Sequence, residues 1–147
     1  MKTALAVLAS MFLLAAPSWA VLGQPVQSVH SDQMRLHGQL RSVSRRGYSI
    51  QQITAADGTV IKEYVSPAGV VFGVSWQGAA MPNLSQLLGS YFQQFQQVSR
   101  SAAHRRQALV VRTDQLVVES GGHMRAFRGR AYAPALLPNN LTPAVVK

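Results

Sequence analysis

The densest run of chemistry-bearing side chains is "SGGHMRAFRGRAYAP", Ser120–Pro134, which holds His123, Arg125, Arg128, Arg130 and three glycines. Ser120, His123 and the nearby Asp114 are the residue types of a hydrolytic triad, in which a base takes the proton of a nucleophilic hydroxyl. The stretch lacks the G-x-S-x-G elbow that exposes such a serine, so the spacing alone gives Ser120 no catalytic geometry. Glu63 and Glu119, the only glutamates, could divide acid and base work on a glycosidic bond if suitably separated. Pairing with one of the many arginines is the plainer role for each. His30, His37, His104 and His123 make no H-x-H or H-x-x-x-H pair and the chain has no cysteine, so neither a metal site nor a cofactor is expected.

The arginines carry more information. On a strand, Arg128 and Arg130 point to one side and Arg125 to the other. Burial of one face would then force a guanidinium inwards, unless Gly129 marks a bulge or the strand lies at a sheet edge, where charge discourages aggregation. The reading is a turn at Gly121–Gly122 leading into an edge strand from His123 to Tyr132, ended by Pro134. Its Arg125, Arg128, Arg130 and His123 form the candidate anion-binding surface. Eleven arginines and three lysines face five acidic residues, a net charge of +9, and the planar guanidinium fork suits carboxylate and phosphate.

These residues must be positioned by the rest of the chain. Met1–Ala20 has one lysine, an apolar run too short to span a membrane and a small-residue ending, the order of a signal peptide cleaved after Ala20. The remainder is long enough for one domain over residues 21–138, stabilised by packing alone because disulfides are excluded. Residues 139–147, rich in proline and asparagine with their flank, read as a flexible tail.

Within the domain, Gln27–Leu36 reads as a short helix. A period of two follows through "GYSIQQITAADG", "TVIKEYVS" and "VVFGVSWQG", a meander of about three strands. Val70, Phe72, Val74 and Trp76 are assigned to its core face. After Asn83, a helix cap, Leu84, Leu87, Leu88, Tyr91, Phe92, Phe95 and Val98 recur at helical spacing. Arg100, His104, Arg105 and Arg106 gather at the end of this helix, where its dipole is negative. "ALVVRT" and "QLVVES" supply further strands. The fold class is α+β: an antiparallel sheet of about five to six strands, one long amphipathic helix on a face and a short N-terminal helix.

The phrases "LGQPVQSV", "GTVIKEYVSPAGVVFGVSWQG", "MPNLSQLLGSYF" and "SGGHMRAFRGRAYAPALLP", in that order after a signal peptide, resemble the secreted proteobacterial family catalogued as domain of unknown function 2844. The resemblance spans about Val21–Pro138 and implies a bacterial exported protein of one domain, without implying an activity.

Function is therefore read from chemistry. The expectation is an exported, periplasmic or secreted, non-catalytic binding or accessory domain of the cell envelope. Its partner would be an anionic envelope glycan or lipid, or an acidic protein. Nucleic acid is disfavoured because an exported protein rarely meets it, and no membrane span remains after signal cleavage. The alternatives are a small cell-envelope hydrolase using His123 with a nearby carboxylate, and a structural subunit presenting the uncharged glutamine face of the helix.

Overall fold

The computed structural model describes residues 21–101 and 108–147. The expected signal peptide and the basic residues His104, Arg105 and Arg106 lie outside them. The described residues form a helix α1 (Ser28–Arg35), strands β1 (Gln39–Arg45), β2 (Tyr48–Thr54), β3 (Val60–Val65) and β4 (Val71–Gly78), helices α2 (Leu84–Leu88) and α3 (Phe92–Ser101), then β5 (Ala108–Arg112), β6 (Val117–His123) and β7 (Ala126–Tyr132).

All strands join one antiparallel sheet in the order β1-β2-β3-β4-β7-β6-β5. Two meanders thus meet at the β4–β7 pairing. The chain leaves β4, passes through α2 and α3, re-enters at the far edge as β5 and works back inwards.

The sheet has seven strands, more than the five or six expected, and the uncounted one is β1. Its sequence QLRSVSR carries few apolar residues because it lies at an edge. Arginine on such a strand discourages pairing with another chain. The edge reading of the arginine-rich last strand is corrected: β7 is internal, hydrogen-bonded to β4 on one side and β6 on the other.

The helical face of the sheet is built as expected from the Leu84–Val98 stripe. Leu87, Leu88 and Phe95 are buried against Ile61, Val74, Trp76, Val111 and Val118, with Leu84, Tyr91, Phe92 and Val98 packed around them. Asn83 caps α2 by accepting a hydrogen bond from the Ser85 amide at 3.0 Å. The expected single long helix is broken into α2 and α3 by a tight turn at Gly89–Tyr91, where Gly89 takes φ 52°.

The other face holds a second core of Tyr64, Phe72, Val117, Tyr132 and Val146. Phe72 therefore does not share a face with Val74 and Trp76, as alternation alone suggests. The register slips between Tyr64 and Val65, where Gly73 and Val71 are the successive partners. The extra residue reverses the side-chain parity. The lid of this core is the C-terminal segment, expected as a flexible tail and instead packed down: Val146 is fully buried, and Leu136, Leu137, Leu141 and Val145 cover the aromatics. Gly73 makes room for it, since a Cβ there would lie 2.7 Å from the Val146 side chain.

Candidate functional site

Sheet register arranges the second face in rows. The covered row runs Val43, Ile50, Tyr64, Gly73, Tyr132, Val117, Arg112. The next runs Arg41, Gln52, Lys62, Ser75, Arg130, Glu119, Val110, and the one beyond it Gln39, Thr54, Val60, Gln77, Arg128, Gly121, Ala108. From β3 to β5 these two rows line an open groove of about 990 Å³, which also reaches His123, Arg125 and Lys147.

The β6–β7 hairpin closes the groove at one end. His123 pairs with Ala126, so Met124 and Arg125 form the turn, three residues further along than the Gly121–Gly122 turn expected. Gly121 and Gly122 belong to β6 instead. Gly122 takes φ 128°, and a Cβ there would lie 2.2 Å from the Ala126 carbonyl oxygen. Arg125 carries a positive φ of 66° at the turn, a conformation in which non-glycine residues are uncommon. Gly129 is neither a bulge nor an edge device. The Trp76 ring lies across it, so that a Cβ would come within 2.3 Å of the indole, and register continues unbroken on both sides.

The three arginines separate by role. The Arg130 Nε donates to Glu119 Oε2 at 2.8 Å, and its Nη1 donates to the carbonyls of Val146 at 3.1 Å and Pro143 at 3.4 Å. Arg112 Nη2 donates to the other Glu119 oxygen at 2.7 Å. Arg130 thus ties the C-terminal segment to the sheet. Tyr64, Ser75 and Lys62 complete that anchorage by donating to the Lys147 carbonyl oxygen. Arg125 and Arg128 are exposed and make no ion pair among the described residues.

The candidate catalytic residues are not brought together. Asp114 lies in the turn before β6 and His123 at its far end, roughly 20 Å of strand apart at the extended rise per residue. Ser120 is buried and its hydroxyl faces Met81 Sδ at 4.0 Å. Glu119 lines the groove with His123 but stands two rows away on β6, with both oxygens held by arginine. Glu63 lies on the opposite face of the sheet.

That opposite face holds a second feature. Glu63 sits in the row Ser42, Gln51, Glu63, Val74, Ala131, Val118, Val111 beneath the helices. It is fully buried, and neither carboxylate oxygen has a hydrogen-bond partner among the described residues. It lines a cavity of about 120 Å³ between α1, the β2–β3 turn and the start of α2.

Burial pushes the Glu63 carboxyl up to about 8, and the neighbouring Asp32 charge adds to the effect. Burial also raises Asp32, against the pull of Arg35, whose Nη1 lies 3.5 Å from its carboxylate. Asp57, also on the lining, is lowered because its carboxylate accepts the Thr59 amide at 2.9 Å. The hydroxyl of buried Thr59 has no partner among the described residues.

Strand parity marks Glu63 from sequence: in "VIKEYV" it shares a face with the core residue Ile61. Asp32 offered no comparable sign, because α1 is short and polar.

A family model described as protein of unknown function (DUF2844) matches residues 18–146. The chain belongs to that family. No curated protein and no solved structure matches the chain. The match to the DUF2844 model takes in every described strand and the C-terminal segment through Val146, so the cavity and all of the groove lining except Lys147 lie inside the matched span.

Proposed function

We propose that this domain is a non-catalytic binding or accessory module of the bacterial cell envelope, exported by its N-terminal segment, that holds phosphate- or carboxylate-bearing envelope glycan or lipid in the groove. The observation that supports this reading most is the division of labour on β7. Arg130 is consumed by Glu119 and the C-terminal segment, whereas Arg128 and Arg125 stand exposed along the groove and make no ion pair among the described residues. Guanidinium groups of this kind offer paired donors to anionic oxygens. Met124, 88% exposed at the hairpin tip, and Val110, 48% exposed, add apolar contact suited to an amphiphilic ligand. A hydrolase built on His123 finds no support, because among the described residues no free carboxylate stands beside it.

The test is binding of the protein to lipopolysaccharide. Affinity should fall steeply as salt rises, because exposed charges are screened over about 10 Å at 0.1 M. The double substitution Arg125→Gln, Arg128→Gln should weaken binding about tenfold or more while changing stability by less than about 0.5 kcal/mol, as for surface sites generally. Salt-independent binding, or undiminished binding by the double variant, refutes the reading.

A further inference from the structure

The Glu63 cavity lies on the face of the sheet away from the groove and calls for its own ligand. A buried polar group without a partner is costly, and native proteins leave few of them. Here both carboxylate oxygens of Glu63, which lines the cavity, lack a hydrogen-bond partner among the described residues. Sign is the next clue. The chain is strongly basic, yet three of its five acidic residues, Asp32, Asp57 and Glu63, line this space, with Arg35 the single cation there among the described residues.

Size and wall chemistry narrow the class. The cavity measures about 120 Å³ and its apolar walls include Leu36, Ile61 and Leu87, which fit a short alkyl chain. A divalent metal needs more ligands than are offered: no group of three or more His, Asp or Glu side chains suited to a metal occurs among the described residues. Recognition of a quaternary ammonium uses aromatic side chains, and none among the described residues lines the cavity. A primary ammonium has three donors, and the Glu63 carboxylate and the neighbouring Asp32 carboxylate supply acceptors.

We propose that this cavity is a binding site for a small primary alkylammonium, with Glu63 as the charge partner of the ammonium and the apolar walls enclosing its chain. Binding exchanges a proton for the ligand: the Glu63 carboxyl, neutral in the free protein at pH 7, gives up its proton and pairs as the carboxylate. The charged groups facing it are Asp32 and Arg35 from α1 and Asp57 from the β2–β3 turn. The start of α2 contributes only uncharged Asn83 and Gln86, and the flanking strand positions are Gln51 and Val74.

The experiment is calorimetric titration of the intact protein with n-butylammonium chloride, run in two buffers of different ionisation enthalpy, with n-butanol and butyrate as matched neutral and anionic probes. An alkylamine stays protonated throughout, its pKa lying near that of lysine at about 10.4. Affinity should rise about tenfold per pH unit below pH 8 and level off above it, with release of about one proton per ligand at pH 7. The substitution Glu63→Gln should weaken binding at least tenfold, and neither matched probe should bind. Absence of binding, affinity independent of pH, or binding of n-butanol as strong as that of the ammonium overturns the proposal. If Glu63→Gln does not fold, the proton count on the parent protein decides alone.

Discussion

The two glutamates of this chain sit on the same sheet and lead opposite lives. Glu119 faces the groove, is 26% exposed, and shares its two oxygens between Arg112 and Arg130. Glu63 faces the helices, is fully buried, and finds no partner for either oxygen among the described residues. In a protein with more than twice as many cations as anions, the arginine that lines the Glu63 cavity, Arg35, pairs with Asp32. Sheet parity puts the cations of β3 and β7, Lys62, Arg128 and Arg130, on the other face. Position in the fold, more than residue type, separates a carboxylate that holds structure together from one kept in reserve.

The largest expected effect concerns Glu63 and pH. Its carboxyl titrates near 8 in the folded protein against 4.5 ordinarily, so between those values the folded state keeps a proton that the unfolded chain has lost. Stability is therefore greatest, as far as this group goes, below about pH 4.5, and falls as pH rises towards 8. At 1.36 kcal/mol per unit the whole loss is roughly 4–5 kcal/mol, an upper figure. Urea unfolding of Glu63→Gln should show a flatter dependence across this window and greater stability than the parent at pH 9. A variant less stable than the parent at pH 9 would mean that the carboxylate form of Glu63 is well satisfied.

A smaller effect is expected at Glu119. Replacing it by alanine strands Arg130 and Arg112, but solvent reaches all three side chains, so the cost should be about 1–2 kcal/mol. The loss should register first as faster proteolysis near Pro143–Val146, which Arg130 holds. Equal protection in parent and variant would assign the closure of that segment to the Val146 side chain and to the bonds of Tyr64, Ser75 and Lys62 to Lys147.

What the sequence could show follows the same division. Elements governed by local period were legible: the Leu84–Val98 stripe, its Asn83 cap and the strands around Tyr48–Trp76. Features that depend on distant partners were not. The edge strand β1 is polar on both faces, and β7 reads as an edge until the return of the chain through β5 places it beside β4. A bulge at Phe72 reverses the face of a residue whose neighbours alternate regularly. The C-terminal segment is rich in proline and looks unstructured until the Tyr64–Phe72 surface it covers is known. Of the candidate site residues, Arg125 and Arg128 lie on the groove as cations without ion pairs among the described residues, whereas Arg130 is diverted to structure by Glu119.

The contrast between the two glutamates is tested most directly by a carbon-13 titration of the Glu63 side-chain carboxyl, followed by NMR from pH 4 to pH 10. A midpoint near 8 is the predicted result. A midpoint in the ordinary carboxylate range, near 4.5, would contradict the account, because Glu63 would then be charged and partnered in the folded protein.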